Sequence, residues 1–202
     1  MKHLIPAGFL ILIVALIGHS AARAQQVEAD GPRFSPANEL LRPADYREWV
    51  FVASGLGMTY NTPSGPEANP SPNFSNVYVN PSSYRSFMKT GRWPDKTMLV
   101  LEIRSSASEG SINKAGHFQT NLVALEAAVK DQARYPGQWS YFNFGPAANL
   151  KDSVEAIPTA TAARCVACHS ANGAVDNTFV QFYPTLFEVA KRLGTLRPAF
   201  VQ

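Results

Sequence analysis

The chain has 202 residues, 46% of them hydrophobic and 16% charged, with eighteen basic against fifteen acidic side chains. That composition excludes a disordered chain, a collagen-like repeat and a strongly charged tail, and it suits one compact domain. A single continuous apolar run, residues 4–17, also excludes a polytopic membrane protein.

Lys2 and His3 precede that run and Ala22-Arg23-Ala24 closes the segment, the pattern of an export signal with small residues at the cleavage point. As a helix the run would span only about 21 Å, short of the roughly 30 Å hydrocarbon core. The sequence therefore predicts a cleaved signal peptide over residues 1–24, an N-terminal arm over 25–42 and one domain over 43–202, exported to the periplasm with no membrane segment left after cleavage. Losing Lys2 and Arg23 leaves sixteen basic against fifteen acidic residues, so charge gives no case for a nucleic-acid partner.

The arm is polar and punctuated by proline and is expected to be loose, with a short helical piece at 38–41. Residues 43–48 read as a helix start, and 49–60 as a strand running into a glycine-bent loop. Prolines at 63, 66, 70 and 72 make 61–73 a surface loop. Alternation predicts a strand over 74–80, and Pro81-Ser82-Ser83 opens a helix that stops at Gly91. The dense apolar run 97–104 predicts a buried strand, while 122–130 is ambiguous by period. Aromatic-rich 138–145 reads as a strand with two apolar faces, and helices follow over 159–171 and 183–193.

Both cysteines lie in Cys165-Val166-Ala167-Cys168-His169. In an exported chain, C-x-x-C-H presents a covalent c-type haem. Thiols three positions apart on an emerging helix face reach the vinyl groups along one haem edge, and the next residue turns its imidazole onto the iron. The competing readings are a redox-active disulfide and a zinc site, for which only His117 could join Cys165, Cys168 and His169 besides carboxylates. No methionine follows Met98 and the motif is C-terminal, which excludes the small electron-transfer cytochrome c arrangement. The proline loop and the aromatic strand leave no room for a four-helix bundle.

Three segments together carry a resemblance: Gly91-Arg92-Trp93-Pro94-Asp95-Lys96-Thr97-Met98-Leu99-Val100-Leu101-Glu102, Gly116-His117-Phe118-Gln119, and Asp176-Asn177-Thr178-Phe179-Val180-Gln181-Phe182-Tyr183-Pro184 after the haem motif. The chain resembles the cytochrome P-460 family over about residues 46–193. The resemblance implies an α+β fold, an antiparallel β-sheet with flanking helices and a C-terminal helix bearing the haem motif. It also implies a homodimer and one covalent haem c held through Cys165 and Cys168, with His169 as the proximal iron ligand and an open distal side.

Within that family, members carrying a haem-cross-linked lysine on a distal strand oxidise hydroxylamine, and relatives without it bind nitric oxide under an aromatic cap. Residues 97–104 hold no lysine, and Val100 or Leu101 stands at the matching position. The expectation is therefore a haem protein whose open site binds a small nitrogenous ligand such as nitric oxide. A hydroxylamine-oxidising enzyme, or a plain electron carrier with a redox partner protein, is the alternative. Phe74, Phe87, Met98 and Leu101 are the distal-pocket candidates, Glu126 the candidate catalytic carboxylate, and His117 is expected at the surface.

Overall fold

A five-stranded antiparallel sheet in the order β2-β3-β4-β5-β6 organises the molecule. It is built from β2 (Val50–Leu56), β3 (Phe74–Val79), β4 (Thr97–Ala107), β5 (Phe118–Lys130) and β6 (Trp139–Pro146). A two-residue strand β1 (Leu40–Leu41) pairs with β7 (Ser153–Val154) in a second small sheet. Three helices complete the α+β fold: α1 (Pro81–Thr90), α2 (Thr159–Asn172) and α3 (Pro184–Arg192). The computed structural model describes residues 30–59, 71–136 and 139–201, so the expected signal peptide and most of the proline loop lie outside the described residues. Among the described residues no helix is long and apolar enough to cross a membrane.

Local chemistry sets the helix ends. Proline opens α1, where a missing N–H costs nothing, and the Asn80 carboxamide before it accepts from the Met98 N–H at 2.8 Å, stitching the helix start to β4. Gly91 ends the helix in the left-handed region at φ 68°, its N–H returning to the Phe87 carbonyl at 2.7 Å. α3 likewise opens on Pro184 and carries Leu186, Val189 and Ala190 into the core.

Strand register assigns every side chain to one of two faces. On one face run the rows Val79–Leu99–Ala128–Tyr141 and Val77–Leu101–Glu126–Asn143. α1, α3 and the segment 174–183 pack there, with Phe87 and Trp93 in tilted contact at 4.3 Å. The other face carries Met98, Val100, Leu125, Ala127, Val129, Phe142 and Phe144, closed by Leu40, Tyr46, Trp49 and Val154.

The ambiguous segment proves to be part of the thirteen-residue strand β5, which begins four residues earlier on the largely exposed stretch Phe118, Gln119, Thr120 and Asn121. Two expectations need correction. Residues 38–41 are not helical: Asn38 turns the chain at φ 67°, and Leu40 pairs with Val154. Nor is the arm loose from residue 31 onward, because the compact unit starts at Gly31, Leu40 is fully buried and Phe34 packs edge-on to Phe142 at 6.4 Å.

Candidate haem site

The helix that carries the cysteines is unusual in having no buried residue along its fourteen positions. A helix of that length without a buried face needs another partner to hold it. Cys165, Val166, Cys168 and His169 form its half-buried side, and Cys165 and Val166 pack against the cluster that contains Leu99 and Tyr141. Both thiols are free.

His169 is fixed from three directions. Its ring lies 4.8 Å from Tyr141 on β6 and 4.4 Å from Phe179, and its Nδ1 is 2.9 Å from the Asn177 carbonyl oxygen. A carbonyl only accepts, so Nδ1 carries the proton and Nε2 keeps its lone pair, the tautomer a metal ligand needs. Burial pushes the imidazole below its ordinary pKa, against the opposing pull of the Asn177 bond, so the neutral form is favoured. The Tyr141 hydroxyl is pushed up, mainly by burial and further by the neighbouring Cys165 and Cys168 sulfurs. The end of the helix is held too: Arg197 donates to the carbonyls of Ser170 and Gly173, a cation placed at a helix C-terminus.

These residues fit a haem. His169 Nε2 would hold a haem iron, and Cys165 and Cys168 on the same half-buried side of the helix would hold the haem edge. The apolar side is present as well. In the row nearer the helices Val79 is 0%, Leu99 7% and Tyr141 8% exposed, whereas in the next row Val77, Leu101 and Glu126 are only half-buried and Asn143 is exposed. The sheet thus offers a strip, apolar at Val77 and Leu101 and polar at Glu126 and Asn143, that the polypeptide covers only in part, on the same face as the ring that touches His169.

The register separates the two residues the sequence left as alternatives. Leu101 stands directly opposite Glu126, while Val100 points to the other face. Lys96 precedes the strand and its ammonium is engaged by Asp131 at 2.5 Å. Glu126 makes no hydrogen bond or ion pair to another described residue, and burial alone pushes its carboxyl above the usual range.

The other distal candidates are not brought together. Met98 is buried in the opposite cluster, and Phe74 shares that opposite face with Asn76 and Tyr78, so neither belongs to the pocket; one residue of strand parity separates them from it. Phe87 is fully buried under the covered row, where it fills core against Trp93. His117 is exposed ahead of β5. Sequence reasoning missed Tyr141, Phe179 and Asn177 as neighbours of His169. The aromatic composition of 138–145 was visible, but its contact with a helix twenty-eight residues on was not.

The sequence match agrees with this geometry. The family model described as Cytochrome P460 matches residues 43–180, which include the haem motif and the turn that holds His169. No curated protein gives a match. Since the match spans more than half of the chain, the protein belongs to the cytochrome P460 family and is a c-type haem protein.

Proposed function

We propose that the protein is an exported cytochrome with one haem attached through Cys165 and Cys168, His169 Nε2 on its iron, and a vacant sixth site that takes a small nitrogenous ligand such as nitric oxide. When bound, the haem supplies a redox-active iron to which such a ligand can coordinate. One observation carries the reading: the residue facing Glu126 on the partly covered strip is Leu101, an aliphatic side chain that can form no cross-link to a porphyrin. Leu101 and Val77 themselves offer a bound ligand no hydrogen-bond partner, which suits a small neutral molecule.

Glu126 favours a second reading, the oxidation of hydroxylamine or a related substrate. A carboxyl whose pKa burial raises and which has no partner among the described residues is suited to accept and release protons at a higher pH than an ordinary glutamate. Titration of the reduced protein with nitric oxide, alongside a hydroxylamine turnover assay, separates the two. Tight stoichiometric nitric oxide binding without turnover supports the first reading. Sustained hydroxylamine oxidation that Glu126→Gln abolishes supports the second. Six-coordinate iron in both oxidation states, with neither activity, supports an electron carrier.

Two further proposals follow from the same reading. Covalent haem attachment with free thiols belongs outside the cytoplasm, which supports export of the chain to the periplasm. A homodimer is supported by the edge strand β2, whose outer side pairs with no other described strand and along which Phe51 and Leu56 are 52% and 46% exposed, followed by Met58 at 52%. Sedimentation of the holoprotein at micromolar concentration as a single species of one chain's mass would reject the dimer.

A further inference from the structure

The carbonyl that orients His169 sits in an unfavourable turn. Asp176 and Asn177 both occupy the left-handed region, at φ 47° and 58°. Two consecutive non-glycine residues rarely adopt it and persist there only where their surroundings impose it. The turn is closed by the Thr178 N–H and hydroxyl, which both donate to the Val175 carbonyl at 2.8 and 2.7 Å.

What imposes the turn comes from a segment more than eighty residues earlier in the chain. The Trp93 N–H donates to Asp176 Oδ2 at 3.0 Å, and the Trp93 indole N–H donates to the Thr178 hydroxyl at 2.8 Å. Arg92 donates to Asp176 Oδ1 at 3.2 Å, while the Lys130 ammonium donates to the Trp93 carbonyl at 2.6 Å and lies 3.6 Å from Asp176 Oδ2. Trp93 and Thr178 are each 2% exposed, so the indole–hydroxyl bond between them is shielded from water. On its other side the turn presses on the helix end. A Cβ at Gly173 would lie 2.6 Å from the Asn177 carbonyl carbon and 2.7 Å from both the Thr178 nitrogen and the His169 oxygen, closer than any side chain tolerates.

We propose that Asp176 and Thr178, gripped by Trp93, are positioning residues for the iron ligand: they hold the turn so that the Asn177 carbonyl keeps the Nδ1–H of His169 and aims Nε2 at the metal. Neither residue touches His169. Their effect passes through one hydrogen bond, which fixes the ring and makes the imidazole a stronger donor to iron. The inference rests on the haem reading above.

The test uses the matured holoprotein. Wild type, Asp176→Ala, Asp176→Asn, Thr178→Val and Thr178→Ser are compared by the iron–histidine stretching band of the ferrous protein in resonance Raman and by the midpoint potential. Asp176→Ala and Thr178→Val are expected to lower the stretching frequency. They should also favour the reduced state by about tenfold, equal to about 59 mV for one electron. Thr178→Ser retains the hydroxyl and restores both values. Asp176→Asn keeps an acceptor for the Trp93 N–H and keeps the wild-type frequency, which separates geometry from charge. Unchanged frequency and potential in Asp176→Ala and Thr178→Val overturn the proposal, as does a Thr178→Ser shift equal to that of Thr178→Val. Should Thr178→Val fail to mature, the two variants at the partly exposed Asp176 decide alone. A wild-type protein without covalent haem fails differently: it rejects the haem reading itself.

Discussion

The two faces of the one sheet are finished by different materials. On the face toward the N-terminal segment, neighbouring rows are closed by protein alone: Val100 is 0%, Ala127 5% and Phe142 1% exposed in one, and Asn76 2%, Glu102 2% and Leu125 1% in the next. Even its charge is satisfied, since Glu102 accepts from Tyr46 at 2.5 Å, Arg47 at 2.9 Å and Asn76 at 3.1 Å. On the opposite face one row is covered and the next, Val77–Leu101–Glu126–Asn143, only in part. Beside it stands a helix with no buried residue and two free thiols. A polar group that must be buried for stability is given partners, and one left without partners on a partly covered strip is available for chemistry.

The largest expected effect falls on the partly covered face. Replacing Cys165 and Cys168 together with serine abolishes covalent haem, seen as loss of the haem increment in the intact mass, and leaves α2 without the partner that holds it. Circular dichroism of the variant should show reduced helix content with the sheet signal retained.

On the closed face, Glu102→Ala should destabilise the fold by about 3 kcal/mol by stranding the Tyr46 hydroxyl and the Asn76 amide, with less cost from Arg47, which is half in water. Burial pushes the Glu102 carboxyl up, but the bonds from Tyr46, Asn76 and Arg47 outweigh it and hold it below the usual range. Its contribution is therefore present above the ordinary glutamate range and is lost as pH falls through the depressed folded value. Acid denaturation of Glu102→Gln should accordingly lose the part of its pH dependence that lies in that window, while the neutral-pH haem spectrum stays as in wild type.

Glu126 titrates in the opposite sense. Its raised pKa favours the folded chain at low pH, and that advantage disappears as pH rises through the folded value. Glu126→Gln should leave stability at neutral pH unchanged or slightly higher by urea denaturation, and should remove a protonation step from the pH profile of ligand binding. The smallest effect is expected at Arg42–Asp152, an ion pair at 2.6 Å whose aspartate is 93% exposed: Asp152→Ala should cost less than about 1 kcal/mol in thermal melts.

Much of this contrast was legible in the sequence, for reasons that differ by element. Helix α1 announced itself through Pro81 and Gly91, because both ends are set by backbone chemistry local to the residue. The candidate haem ligands could be named because C-x-x-C-H compresses three proposed attachment points into five positions. Which strand residues share the half-buried row could not, because that depends on strand parity. Met98 and Leu101 lie three positions apart in one apolar run that is buried on both faces, so hydrophobicity marks neither face. Strands β1 and β7 went unseen for a related reason: two residues each, paired across more than a hundred positions, leave no period to read.

The most direct test of the account is peptide mass mapping of the matured holoprotein. The account predicts one haem increment confined to the peptide containing Cys165 and Cys168, with the peptides of 97–107 and 118–130 at their unmodified masses. A colourless chain whose two cysteines are joined to each other would contradict it, and so would a haem bridged to a second peptide from the strip that faces Glu126.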